Sequence, residues 1–287
     1  MKSNTLLSHR KEEPENSVLY VVGTPIGNLN DFSLRAINIL KKVSLIACED
    51  TRQTKKLLHR FEINNFLISF NKHNSFKKIP SIINSLKGGK SIALVSDAGM
   101  PSICDPGEDL ISEVKANGIQ VICIPGPCAA IAALVSSGLP SSKFIFEGFL
   151  PRKKVDREEI LLNICNSQKS TILYESPHRL KKLLNDLKEF CGSTREIHVA
   201  RELTKKYEEH ISNDIETIIQ FFEDREILGE FTIVVKGLKK KLPRNIDEVA
   251  IKKDLKNLLD AGISLSSAAK YLAKKEKLSK NIIYNLY

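Results

Sequence analysis

The sequence predicts an α/β fold: two successive α/β units followed by a small helical unit. Three observations predict it. Short apolar runs alternate with helix-like stretches through most of the chain, the pattern of strand-helix units around a largely parallel sheet. Three Gly/Pro loops each follow directly on an apolar run: Gly23-Thr24-Pro25-Ile26-Gly27-Asn28, Asp97-Ala98-Gly99-Met100-Pro101 and Pro125-Gly126-Pro127-Cys128-Ala129. In an open α/β sheet such loops gather at the carboxyl ends of the strands, where ligands bind. Beyond residue 245 the pattern changes to short amphipathic helices.

Residues 1–16 are polar and mixed in charge, unlike a signal peptide, and read as a loose tail. The first unit, residues 17–138, opens with a strand at 18–22 and a helix at 31–40, for which Asp31 is a suitable N-cap. A strand at 43–48, a helix continuing through 55–60 and a strand at 66–69 follow. A helix over 78–86 is interrupted near its start by Pro80. Then come a strand at 91–96, a helix at 107–117 stopped by Gly118, a strand at 120–124 and a small-residue helix over 128–136. The alanines of 129–133 let that helix approach a sheet closely.

Residues 139–142 read as a linker into the second unit, 139–240. Its expected strands are 144–147, 171–174, 196–200 and 231–235, and its helices 156–166, 178–190 and 213–222. The loop around Arg152, Lys153 and Lys154 is strongly basic. Residues 245–287 hold three expected helices, 247–259, 264–274 and 279–286, with a lysine-rich face including Lys270, Lys274, Lys275, Lys277 and Lys280. They suggest either a helix-turn-helix-like unit or a solvated appendage.

The chain has 287 residues, of which 42% are hydrophobic and 27% charged, as in ordinary globular proteins. A formal charge of +10 favours an anionic partner, although a bias toward Lys, Ile and Asn produces the same excess. Cys48, Cys104, Cys123, Cys128, Cys165 and Cys191 form no C-x-x-C pair, so no metal site is expected. Most sit in apolar runs and read as reduced, buried thiols, which predicts a cytoplasmic protein. No apolar run suggests a membrane span.

The three loops carry almost no cationic side chains, and neither G-x-x-x-x-G-K-[ST] nor G-x-G-x-x-G occurs. A polyphosphate or dinucleotide is therefore a poor fit. A pocket of backbone amides and carbonyls with one carboxylate, Asp97, suits a ligand with a cationic centre, and S-adenosylmethionine is such a ligand.

At these residues the sequence resembles the tetrapyrrole methylase (class III methyltransferase) superfamily. The matching blocks are GTPIGNLND (23–31), CEDTRQTKKLL (48–58), LVSDAGMPSICDPG (94–107), IPGPCAAIAAL (124–134), FEGFLPRK (146–153), YESPHRL (174–180), ARELTKKYEE (200–209) and GEFTIVVKG (229–237). CEDTR and ESPHR resemble the branch that methylates a ribose 2′-hydroxyl of ribosomal RNA. The resemblance implies two αβα domains with the cofactor in the cleft between them, a helix-turn-helix-like C-terminal unit and a homodimer. Pro25, Asp97, Ala98, Gly99, Ile103, Cys128 and Ala129 would line one cofactor wall, and Tyr174, Ala200 and the Gly229-Glu230-Phe231 turn the other. The substrate implied is a cytidine in the decoding region of small-subunit (16S) rRNA, bare or in an assembled 30S subunit.

Methyl transfer to a weakly nucleophilic ribose hydroxyl is helped by alignment, by a base and by a cation near the developing alkoxide. Candidate acids are Glu49, Asp50, Glu175 and Glu202, with Asp50 or Glu175 the expected base. Arg201 is the expected catalytic cation or phosphate grip, and Arg52, Arg152, Lys153, Arg179 and Lys205 are expected RNA contacts. The competing reading makes the CEDTR and RELT charges inter-domain or dimer salt bridges. Two other classes remain: a methyltransferase of the same fold acting on a tetrapyrrole or a protein, and a non-catalytic nucleic-acid-binding protein using the C-terminal helices.

Overall fold

A computed structural model of the chain describes residues 13–238 and 248–276, together with Ile283 and Leu286. Two five-stranded sheets, each with its helices, account for the part ending at Gly237.

The first sheet is built from β1 (Val18–Val22), β2 (Leu45–Cys48), β3 (Leu67–Ser69), β4 (Ile92–Val95) and β5 (Gln120–Ile124). Every pairing is parallel, in the order β3-β2-β4-β1-β5. All five residues of β1 are buried, as a central strand covered on both faces requires. Side-chain alternation splits the core. Tyr20 joins Ile39, Leu40 and Ile46 on one face, while Leu19 joins Ile82, Leu86 and Leu110 on the other.

The covering helices are α1 (Leu34–Lys42), α2 (Thr51–Arg60), α3 (Ser75–Lys87), α4 (Glu108–Ala116) and α5 (Ala129–Ser136). Two local expectations change. Asp31 does not cap α1; it ends a 3-10 turn, and Ser33 Oγ accepts the Ala36 amide at 3.1 Å instead. Pro80 does not interrupt α3, because Ile79, Ile82, Ile83 and Leu86 anchor one continuous face on the sheet. Residues 13 and 15 are also tied down rather than loose. Arg35 donates to Glu13 at 2.6 and 2.9 Å, and the Glu15 amide donates to Tyr20 Oη at 2.7 Å.

The second sheet comprises β6 (Phe144–Phe149), β7 (Ser170–Glu175), β8 (Glu196–Arg201), β9 (Glu209–Asp214) and β10 (Phe231–Val235), with α6 (Lys154–Asn166), α7 (Pro177–Cys191) and α8 (Ile215–Phe221). Its order is β6-β7-β10-β8-β9, and only β6-β7 is parallel. Strand β9 has no counterpart among the expected elements. Its sequence Glu-His-Ile-Ser-Asn-Asp is polar, and it is held as an edge strand by pairing with β8. The alanine-rich helix α5 packs on the second sheet: Ala130, Ala133 and Leu134 meet Ile172, Ala200 and Val234.

The unit beginning at Leu238 stands by itself. Its helices are α9 (Glu248–Asp260) and α10 (Leu265–Lys275), packed through Ile251, Leu255, Ala268 and Leu272, with Ile283 in the same core. Ser264 caps α10. The expected third helix, apart from Ile283 and Leu286, lies outside the described residues, as do residues 1–12, Lys277 and Lys280.

Candidate active site

The three Gly/Pro loops converge at the carboxyl edge of the first sheet. Thr24 and Gly99 exchange backbone hydrogen bonds of 2.9 and 3.1 Å, joining the first loop to the second. The first and third loops touch backbone to backbone. A Cβ on Gly23 would lie 2.7 Å from Gly126 Cα, so both positions demand glycine. The second loop holds Ser102 and Cys104 in left-handed conformations, φ 68° and 65°. Opposite it, strand β6 bulges at Gly148, φ 62°, where a Cβ would lie 2.6 Å from Cys104 Sγ.

Between these loops and the second sheet lies a cleft of about 370 Å3. Ala98, Gly99, Ile103, Cys128 and Ala129 line one side of it, and Tyr174 and Glu230 the other. Of the expected cofactor residues, Pro25, Asp97, Ala200 and Gly229 do not line it. Asp97 is exposed next to the lining residue Ala98, its Oδ1 accepting the Asp50 amide at 3.1 Å, and Ala200 is buried against α5. Tyr174 is fixed: its hydroxyl accepts the Ala130 amide at 3.0 Å, and its ring packs edge-on to Phe146 and Phe149. Burial pushes its phenol well above the usual value.

Glu175 ends β7 with a fully buried side chain. Its Oε1 accepts the Ser176 amide at 2.9 Å and lies 3.4 Å from Arg179 Nε. Its Oε2 is buried and has no hydrogen-bond partner within the protein, and the residue as a whole lines the same cleft. A buried, unpartnered carboxylate oxygen is costly unless a ligand or solvent donor meets it. A mostly apolar cleft lined by such a residue fits a ligand with an apolar face that also carries hydrogen-bond donors.

The other expected catalytic groups are elsewhere. Asp50 caps α2, accepting the Arg52 amide at 2.8 Å and pairing with the Arg52 guanidinium at 2.7 Å. Those contacts with Arg52 hold its carboxyl down at about 2, far too acidic for a general base near neutrality. Arg201 donates to Leu228 O at 2.7 Å and faces Glu209 at 3.5 Å, outside the cleft lining.

Among the expected RNA contacts, Arg179 donates to Leu150 O at 2.7 Å, and Lys205 bridges Glu202 and Glu230 at 2.9 and 2.6 Å. Both therefore have partners within the second α/β unit, and neither contact is a salt bridge between the two units. Arg52 is exposed on α2 but paired with Asp50. Arg152 and Lys153 are exposed on the loop that leaves β6 just after the cleft residue Phe149.

Phe231, expected with Glu230 in the second wall, does line the cleft, while Met100, Cys104, Asp105, Phe149, Ser176 and Thr232 escape sequence reasoning. Asp105 shares a motif with Asp97, which was the available signal. Thr232 and Phe231 enter because β10 pairs antiparallel with β7, setting Thr232 opposite Tyr174 and Phe231 opposite Glu175. Beside the cleft, Glu49 and Asp105 are raised above ordinary carboxylates. Burial is the largest cause in each, and Asp97 adds repulsion to both.

Two sheets joined through converging glycine loops, with a cleft between them, define a methyltransferase fold. The chain belongs to the tetrapyrrole methylase family: the family described as Tetrapyrrole (Corrin/Porphyrin) Methylases matches residues 18–219. The methyl donor of this family is S-adenosylmethionine. The fold is similar to that of cobalt precorrin-4 methyltransferase, with TM-score 0.58 and 12% identity over 77% of this chain and 95% of that one. It is also similar to diphthine synthase, with TM-score 0.56 and 12% identity over 76% and 89%.

More specific likeness comes from proteins called Ribosomal RNA small subunit methyltransferase I. That of Synechocystis sp. is 42% identical over 269 residues, 94% of this chain and 96% of the relative. That of Bacillus subtilis is 42% identical over 277 residues, 94% of each. That of Thermotoga maritima is 47% identical over 219 residues, which are 76% of this chain but 98% of the relative.

Proposed function

We propose that this chain transfers a methyl group from S-adenosylmethionine to the ribose 2′-hydroxyl of a cytidine in small-subunit rRNA, in the decoding region. The observation that carries the reading is near-full-length similarity, about 40% identity, to proteins named for methylating that RNA. On this reading the chain works as a cytoplasmic homodimer on rRNA or on the assembled 30S subunit. No helix among the described residues is long and apolar enough to cross a membrane.

When bound, the cofactor supplies an electrophilic methyl on a sulfonium. The chain's residues must orient donor and acceptor and keep water out. Backbone groups around Ala98, Gly99, Cys128 and Ala129, with Tyr174 and Glu230 opposite, would hold the cofactor in the cleft, and Asp97 would brace the second loop. We assign the acceptor's proton to Glu175 Oε2 rather than to Asp50. Glu175 lines the cleft and keeps that oxygen without a protein partner; Asp50 is committed to Arg52 and to the cap of α2. Water exclusion and alignment would contribute the larger share of the acceleration, because an in-line displacement depends on near-attack geometry. Arg152 and Lys153, exposed beside the cleft, would take RNA phosphates.

The test is transfer of a tritiated methyl group to small subunits from cells lacking the protein, followed by mass spectrometry of the nucleosides. The expected product is 2′-O-methylcytidine. Label found only in a base or in protein would overturn the assignment.

A further inference from the structure

A second concavity lies outside the cleft. It runs between α2 and the segment entering β3, the outermost strand of the first sheet, and measures about 1120 Å3. Leu58 and Ile63 give it a buried apolar floor. Its wall carries the cations Arg52, Lys55 and Arg60, with His59 among them, all exposed along α2. Two acids oppose them: Asp50, already paired with Arg52, and Glu62 beyond the helix end. Among the described residues, no ion pair engages Lys55 or Arg60.

Phe66 stands in the same groove at 80% exposure. Its backbone is fixed. Asn65 Nδ2 donates to Leu40 O and Val43 O, each at 2.8 Å, and Asn65 Oδ1 accepts the Phe66 amide at 2.7 Å. A phenyl ring offered to water on a rigid turn beside free cations is a stacking platform for a base. The groove also begins next to the site. Thr51 heads it, and the preceding Asp50 amide bonds to Asp97, the neighbour of the cleft residue Ala98.

We propose that this groove holds a single-stranded segment of the RNA that carries the target ribose. One base stacks on Phe66, and phosphates lie along Lys55 and Arg60. The ten residues of α2 extend over about 15 Å, enough for roughly four nucleotides at the stacked spacing. The inference rests on the rRNA reading above and adds the place where the substrate docks.

Methyl transfer to unmodified small subunits, followed as kcat and KM, tests it. Phe66→Ala should raise KM about tenfold and leave kcat and the calorimetric cofactor affinity as in the wild type. Phe66→Tyr should restore KM and Phe66→Leu should not, which separates stacking from mere packing. Lys55→Ala with Arg60→Ala should raise KM and flatten its dependence on salt. An unchanged KM in Phe66→Ala and in the double variant overturns the groove as an RNA site. So does a loss of activity that sedimentation traces to a broken dimer, which would make this face a contact between copies. A wild-type protein that transfers no methyl to subunits strikes the rRNA reading itself, a result distinct from either.

Discussion

His198 lies on β8 almost without exposure, at 1%. It belongs to a continuous hydrogen-bonded chain. Its Nδ1 meets Ser212 Oγ at 2.7 Å and its Nε2 meets His210 Nδ1 at 3.2 Å. His210 Nε2 meets Glu208 at 2.7 Å, and Glu208 accepts the Thr204 amide at 2.8 Å. Thr204 Oγ1 then accepts the Asn28 amide at 2.9 Å, which links the second sheet to the first glycine loop. Burial, and then the neighbouring His210, push the His198 imidazole down to about 4. The neutral ring is thus the folded form. The unfolded chain binds the proton more readily, so stability is full above pH ~6.5 and is lost as pH falls toward the folded value. The loss amounts to roughly 3 kcal/mol in order of magnitude. Glu49 and Asp105, raised by burial, act in the opposite sense at acid pH. Urea unfolding at pH 7.5 and pH 4.5 should therefore show a steeper acid loss in the wild type than in His198→Gln. Equal losses would remove His198 as the titrating group.

At the scale of elements, the decisive contact is between loops rather than within a strand or helix. The first and third loops approach so closely that a Cβ on Gly126 would lie 2.8 Å from Gly23 Cα. Because the clashing atoms are backbone, no rotamer relieves them. Gly126→Ala should lower stability by about 1–3 kcal/mol, the usual cost of overpacking. It should also weaken S-adenosylmethionine binding, since the same loop leads into Cys128 and Ala129. Thermal melts and calorimetry check the two effects. The second sheet shows how elements depend on distant partners. Gly229, φ 95°, lets the turn before β10 close on Glu202, whose Oε1 accepts the Glu230 amide at 2.9 Å. Strand β9 follows Lys205 and Glu208 in the same stretch and exists as a strand only beside β8.

For the molecule as a whole, the compact unit through Gly237 contains both sheets and the whole cleft. The Thermotoga maritima relative matches 76% of this chain while 98% of its own length is covered. A chain ended after Leu238 should accordingly fold and bind S-adenosylmethionine with the affinity of the full chain. Circular dichroism melts and calorimetry decide this; aggregation or lost affinity would give the C-terminal helices a structural part in the cleft. The lysine-rich helices α9 and α10 then become separable from cofactor binding, and any role they have lies with the acceptor.

The sequence by itself determined the alternation of strands and helices, the three ligand loops, the family and its methyl donor. Those features depend on local signals: apolar periodicity, glycine where φ is positive or backbones touch, and contiguous motifs. Tertiary structure alone decided the mixed pairing of the second sheet, the existence of the polar strand β9, and the face that carries Thr232 beside Tyr174. It also separated two carboxylates that look equivalent in sequence. Asp50 is neutralised by Arg52, two residues away, while Glu175 lines the cleft and keeps one buried oxygen unpartnered. Arg179, Arg201 and Lys205 were drawn inward by Leu150, Leu228, Glu202 and Glu230, partners up to 29 positions distant in the chain. Desolvation and pairing depend on which groups the folded chain sets side by side, and for these residues those groups come from other elements.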